Sequence, residues 1–246
     1  MCHAQGKSAV IDITDARRRY RAELEAALAC AGGKTRKRTF TRMVQAVTEY
    51  RGAELADPDE TVLVWSDLHL GHANIIEYQD RPFLDVADQD AELWRAWERT
   101  DPDAVLVVVG DVAMGEAVCD ATWERVRAAP GREKHLIIGN HDVTGPGEIR
   151  TRGFDHVWSV MVSAGSPPLV WTHYPLAEVP EGHVNVHGHR HGAPPGRSAH
   201  INVAVEQLEY EPVRLDRLRR LARALVEGHY PPGATTIERI ANLEQG

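Results

Sequence analysis

Three short apolar runs, each stopping at polar residues and usually glycine, constrain this chain more than any other feature. Val62-Leu63-Val64-Trp65 stops at Ser66-Asp67-Leu68-His69, Val105 to Val109 stops at Gly110-Asp111, and Leu136-Ile137-Ile138 stops at Gly139-Asn140-His141-Asp142. Short β-prone runs without polar alternation are what strands buried on both faces require. Between them, Leu93, Trp94 and Trp97 share one helical face of a segment from Val86 to Thr100, and a shorter helix is expected from Trp123 to Ala129. Helical spacing makes those tryptophans core rather than a stacking platform. Strand, helix, strand repetition predicts an α/β fold, and open α/β sheets place their sites at the C-terminal ends of strands. All three polar clusters fall there.

The remaining elements are read around that centre. Residues 12 to 56 are predicted helical, with N-cap candidates at Asp12 to Asp15, a break at Cys30-Ala31-Gly32-Gly33 and a second helix carrying Phe40, Met43, Val44 and Val47. The basic run Lys34-Thr35-Arg36-Lys37-Arg38 is read first as a solvated turn beside a helix start, with a phosphate-contacting patch as the alternative. Asp57-Pro58-Asp59 breaks the chain before the first strand, and Ile75 to Phe83 forms a connection. Later, Val157 to Met161 and Leu169 to Trp171 are predicted as antiparallel strands around Gly165-Ser166-Pro167-Pro168. The second runs into His173. A strand at Val184 to Val186 ends in His187-Gly188-His189-Arg190-His191, and a last one covers Ile201 to Val205. An amphipathic helix from Leu215 to Val226 closes the body. The expected organisation is therefore an N-terminal helical extension (1–58), an α/β domain (59–228) and a C-terminal tail (229–246) that packs on the domain or is peripheral.

Composition excludes some classes. No stretch approaches the length of apolar chain that crosses a bilayer, and the N-terminus lacks a signal-peptide layout, so the expected location is cytoplasmic, with no membrane partner. Cys2, Cys30 and Cys119 are scattered, suggesting neither a disulfide framework nor a thiolate zinc site. A net charge of −8 argues against a surface built for non-specific nucleic-acid binding.

The residues at the strand ends suit metal ions. Asp67, His69, Asp111, Asn140, His173, His189 and His191 bring carboxylates, imidazoles and one amide, a donor set for two divalent transition ions. Gly110, Gly139 and Gly188 adjoin these donors and let the backbone turn sharply into the site.

D-x-H at Asp67 to His69, G-D at Gly110-Asp111, G-N-H-D at Gly139 to Asp142, the lone His173 and G-H-x-H at Gly188 to His191 resemble the five ordered blocks of the calcineurin-like metallophosphoesterase superfamily. The resemblance covers roughly residues 61 to 215. S-D-L-H-L-G-H-A-N-I-I, followed by Arg81-Pro82-Phe83, is similar to small bacterial and phage phosphoesterases. Those carry N-V-G-V-D near the end, whereas this chain has Asn202-Val203-Ala204-Val205-Glu206. The resemblance implies a four-layer αββα sandwich, mixed sheets flanked by helices, here with an N-terminal helical extension. It also implies that Asp67, His69 and His191 hold one ion, that Asn140, His173 and His189 hold the other, and that Asp111 bridges them. Manganese is favoured over iron or zinc. Hydroxide shared by the two ions would attack phosphorus. His141 would stabilise or protonate the leaving oxygen, and Asp142 would fix the tautomer of that imidazole. His72, Asn74, Arg81 and Asn140 are close enough to the blocks to meet substrate. Arg81 tied to a carboxylate is the commoner alternative, and His72 and Asn74 have second-layer or turn roles as theirs.

The expected activity is hydrolysis of a phosphate ester, with a diester favoured and a small phosphate ester or nucleotide as substrate. A nuclease acting on DNA or RNA is one rival, and a catalytically weak binding or scaffold module on the same fold is another. The sequence does not address oligomeric state.

Overall fold

The computed structural model of the chain describes residues 10–55, 61–145 and 148–245. Cys2 and the Asp57-Pro58-Asp59 break lie outside them. Two five-stranded sheets form the frame, with helices against them. In chain order, the elements begin with α1 (Ile13–Cys30), α2 (Lys34–Glu49) and β1 (Ala53–Leu55). The first βαβ unit contains β2 (Val62–Trp65), α3 (Ala73–Tyr78), α4 (Val86–Glu98) and β3 (Val105–Val108), followed by α5 (Asp120–Ala128) and β4 (Glu133–Ile137). A small hairpin of β5 (Val143–Gly145) and β6 (Glu148–Ile149) leads to β7 (His156–Trp158), β8 (Met161–Ser163) and β9 (Leu169–Thr172). The chain closes with β10 (Val184–His187), β11 (His200–Asn202), β12 (Val213–Arg214), α6 (Leu215–Val226) and α7 (Thr236–Gln245).

The first sheet runs β12-β2-β3-β4-β7, parallel except at β12. Every residue of β2 and β3 is buried, as their unbroken apolar runs require. The indole of Trp97 on α4 packs edge-on against Trp65, 5.5 Å between centroids, which confirms the core reading of that helix face.

The second sheet runs β1-β8-β9-β10-β11 and is mixed, antiparallel only between β8 and β9. Its strands alternate between two apolar clusters, as a period of two demands. Met161, Leu169 and Trp171 join the large core shared with the first sheet and α6. Val162 and Val170 face the other way, against Tyr20, Leu24, Met43 and Val47 of α1 and α2. The N-terminal helices therefore cover the outer face of this sheet.

The structure departs from the sequence reading at several elements, first at Ala53–Leu55, predicted helical but forming the edge strand β1 beside β8. Val157 to Met161 is not one strand: β7 pairs with β4 in the first sheet and β8 with β9 in the second, the chain crossing between sheets at Ser159-Val160. Apolar residues read alike whichever sheet they enter. The predicted strand at Ile201 to Val205 ends at Asn202 and turns into a 3₁₀ segment at Val205–Gln207. The Ile75 to Phe83 connection begins with the short helix α3. The C-terminal segment is no departure: of its two expected arrangements it packs on the domain, with Ile240 fully buried and Thr236 N donating to Gln207 Oε1 at 3.1 Å.

Candidate metal centre

Sharp loops at the strand ends turn the metal-competent side chains inward. Asp67, His69, Asp111, His189 and His191 all have positive φ, between 42° and 66°, a conformation that costs a residue with a Cβ about 1–3 kcal/mol. Cross-loop bonds hold it: Asp67 N donates to Gly110 O and His69 N to Asp111 O, each at 3.0 Å. Two glycines are required by close approach. A Cβ at Gly139 would collide with Asp111 Oδ1, and one at Gly188 with Ser66 Oγ and Asp67 Oδ2.

The predicted donors converge. Asp111 Oδ2 lies 3.5 Å from His69 Nε2 and 3.3 Å from His173 Nε2. Asp67 Oδ1 lies 3.9 Å from His69 Nε2 and 3.8 Å from His191 Nε2. Asp67, His69 and His191 thus form one group with donor atoms within 4.8 Å of one another, and Asp111, His173 and His189 form a second. Asn140 Oδ1 sits 3.1 Å from His173 Nε2, beside the second group. The residues fit divalent ions on a direct observation: Asp67 Oδ1 and His69 Nε2 are buried without a hydrogen-bond partner. Burying such atoms unpaired is costly, and a cation shared between them removes that cost.

Proton distribution points the same way. Burial holds His69 well below the ordinary imidazole range and brings His189 down to about 3, so both are neutral and available as ligands. Burial also opposes charge on His173, but the Asp111 carboxylate and its hydrogen bond prevail and raise that imidazole to about 10. Asp111 is held well below the carboxylate range, because His173 outweighs burial there too. Without ions, the His173 proton neutralises the carboxylate.

His141 belongs with the site. Its ring nitrogen groups with the donor atoms of His69 and Asp111, and its backbone N–H donates to Asp111 Oδ1 at 2.8 Å. Asp142 is a correction. Its carboxylate does not orient the His141 imidazole: Oδ2 accepts from Asp111 N and Gly139 N, and Oδ1 from Val112 N and Thr151 Oγ1, at 2.7 to 3.2 Å. The residue after His141 points back beneath the loops and stitches two of them together. Arg81 is also corrected as a phosphate contact, in favour of its alternative. It is buried, with Nη2 2.7 Å from Glu206 Oε1 and 2.8 Å from Asp67 O, and Nη1 on Leu68 O and Gln89 Oε1. His72 Nδ1 lies 3.1 Å from His69 Nδ1, so a His69 that ligated through Nε2 would carry its proton on Nδ1 and donate it there.

Sequence reasoning gave no role to three further residues. Glu206 Oε1 accepts from His191 Nδ1 as well as Arg81, so the position where the similar phosphoesterases carry aspartate braces two loops. The only prior signal was that departure. Thr151 holds Asp142, and the Tyr174 ring packs 3.9 Å from that of His189. Neither lies in a motif.

A fourth group, Glu133, His135 and His156, lies apart on β4 and β7. Trp158 Nε1 donates to His135 Nδ1 at 2.9 Å, so a neutral His135 keeps its proton on Nε2, 3.2 Å from Glu133. That imidazole is a donor to the carboxylate and unsuited to a metal ion.

One of two neighbouring cavities reaches the centre. It is about 470 Å³ and is lined by Asn140, His189 and Tyr174 on the metal side and by Gly33, Lys34, Arg36 and Phe40 on the other. A second, about 570 Å³, starts from the same Tyr174 and Phe40 and extends past Arg190 to Tyr20 and Leu24 of α1.

The calcineurin-like phosphoesterase model matches residues 60–241. The chain belongs to that family, and with its convergent His and Asp groups it is a metal-dependent phosphoesterase. It is 30% identical over 166 residues to an uncharacterized protein of Methanocaldococcus jannaschii, covering 63% of this chain and 88% of that one. It is 43% identical over 84 residues to the gene 66 protein of Mycobacterium phage D29, covering 32% of this chain and 40% of the phage protein. An Aquifex aeolicus protein of unknown function shares the fold, with a TM-score of 0.52 at 21% identity, covering 68% of this chain and all of that one.

Proposed function

We propose that the chain hydrolyses phosphodiesters with two divalent ions, one held by Asp67, His69 and His191, the other by Asn140, His173 and His189, with Asp111 between them. The observation that carries this reading is the pair of unpartnered buried atoms, Asp67 Oδ1 and His69 Nε2, facing a cluster of neutral and carboxylate donors. Such ions supply Lewis-acid charge to the phosphoryl oxygens and activate water for attack on phosphorus. The chain's own residues do the rest. His141 faces the centre and is placed to donate to the leaving oxygen. Glu206 and His72 aim the Nε2 atoms of His191 and His69 inward. The cavity lined by Asn140, His189 and Tyr174 offers room for an ester substituent beside the centre, and the diester preference is what the comparison of the two p-nitrophenyl esters tests. The mixed imidazole, carboxylate and amide set accepts manganese, our favoured ion, as well as iron and zinc. Among the described residues no helix is long and apolar enough to cross a membrane, and Cys30 and Cys119 are free and exposed, in keeping with a cytoplasmic setting. The test is turnover of bis-p-nitrophenyl phosphate against p-nitrophenyl phosphate by manganese-loaded protein. Faster diester turnover that is lost on chelation, and in Asp111→Ala, supports the reading. Turnover that survives chelation and dialysis overturns it.

A further inference from the structure

We infer that Lys34 and Arg36 form an anion subsite of the reaction cleft, and that the substrate is a nucleotide-type phosphodiester carrying a second phosphate beyond the scissile one. This deepens the phosphodiesterase reading and rests on it. The cavity of about 470 Å³ joins the metal centre to the N-terminal helices, because Asn140 and His189 line one side while Lys34 and Arg36 line the other. A substrate whose phosphate sits at the metal centre therefore has a basic wall within the same cavity. Both side chains are exposed, and neither forms an ion pair among the described residues. The protein as a whole carries a net charge of −8, so two unpaired cations beside the reaction centre stand against the general surface. Lys37 and Arg38 belong to the same basic run but do not line this cavity.

Phe40 and Tyr174 pack at 5.4 Å between centroids and line the cavity between the basic pair and His189. Aromatic rings there suit a base or sugar lying between two phosphates. The N-terminus of α2 contributes favourable dipole at the same wall. The family match begins at residue 60, so this wall comes from outside it and is a feature of this chain's own N-terminal extension. Tyr20 ties the extension to the site, its hydroxyl accepting from Tyr174 N at 3.2 Å.

The experiment compares kcat/KM for thymidylyl-thymidine with that for its 5′-phosphorylated and 3′-phosphorylated forms, using full-length manganese-loaded protein. One phosphorylated form should be favoured about threefold to tenfold, since each exposed cation adds a contact worth up to a few-fold. The preference should shrink as salt rises. In Lys34→Gln/Arg36→Gln the ratio should fall to about one, while Arg38→Gln should keep it, with thermal unfolding reporting that each variant is folded. Bis-p-nitrophenyl phosphate is run alongside. No turnover of that ester overturns the phosphodiesterase reading and this inference with it. Turnover of the ester with equal kcat/KM for all three dinucleotides, or a preference that survives the double substitution, overturns the subsite alone.

Discussion

Glu206 Oε1 lies 3.0 Å from Nδ1 of His191, while the same oxygen takes the Arg81 guanidinium. The carboxylate fixes the imidazole with Nδ1 as donor and Nε2 turned toward Asp67. Partners of this kind raise ligand basicity and set ring orientation, and their loss typically weakens metal binding 10- to 100-fold. Glu206→Gln should therefore raise the manganese concentration needed for half-maximal activity by about that factor, with activity recovering at high metal. An unchanged metal titration would falsify the bracing role.

His141 and Asp142 are neighbours in sequence with separable roles. His141→Ala should lower kcat by roughly 10²- to 10⁴-fold, the usual worth of a positioned proton donor, with little change in unfolding temperature. Asp142→Ala should do the reverse in emphasis. It strands three buried backbone N–H groups and the Thr151 hydroxyl, costing about 3 kcal/mol or more. Chemical denaturation alongside single-turnover rates checks both, and equal stability of the two variants would contradict the assignment.

The proposed metal donors were legible in the sequence because ligation restricts residue type and because each follows a recognisable buried run. Asp67, His69, Asp111, Asn140, His173, His189 and His191 all reach the centre the motifs indicated. The residues that hold them were not legible, since their relationships connect loops distant in sequence. Glu206 and Arg81 are separated by 125 positions, and nothing local announces the bond. Asp142 misled for a related reason: adjacency to His141 suggested a side-chain partnership, but the carboxylate accepts instead from the amides of Asp111, Val112 and Gly139 and from the Thr151 hydroxyl. The basic run at Lys34 to Arg38 reads as a solvated turn because sequence does not disclose that α1 and α2 cover the second sheet and so bring Lys34 and Arg36 to Asn140. Fold class was clear from the buried runs, whereas the crossing at Ser159-Val160 was hidden in one apolar stretch.

Metal uptake should release protons. His173 sits at about 10 beside Asp111 and is protonated at neutral pH, yet it must lose that proton to ligate through Nε2. Titration calorimetry of the metal-free protein with Mn²⁺ at pH 8, in buffers of different ionisation enthalpy, should show release of about one proton or more per chain. Apparent affinity should rise by about tenfold per pH unit for each proton displaced. Heats independent of buffer would contradict this.

The metal-free protein should lose stability in mild acid through His187. Burial brings this imidazole down to about 3 from an ordinary value near 6.5, and its Nδ1 lies 2.8 Å from Gly188 O. Its folded value is depressed, so the unfolded chain takes up the proton first. The stability it contributes is complete above about pH 6.5 and is lost as pH falls from there toward 3, by up to about 1.4 kcal/mol per pH unit. Unfolding free energies of the wild type and His187→Gln should therefore converge as pH falls from 7 to 4. Parallel curves would refute the linkage.

The N-terminal extension should prove inseparable from the second sheet. Leu24 is 2% exposed and packs with Tyr20, Met43 and Val47 against Val162 and Val170, so those strands have an apolar face on each side. Truncating such a side chain costs about 2–5 kcal/mol, and removing α1 and α2 altogether would leave Val160, Val162, Val170 and Leu176 facing water. Leu24→Ala should lower the unfolding free energy by that amount, and its effect should reach the site through the Tyr20 hydroxyl on Tyr174 N. Metal affinity of Leu24→Ala is therefore expected to drop along with stability. A fully stable, fully active protein lacking residues 1–50 would show that the extension is dispensable and that Lys34 and Arg36 have no part in the cleft.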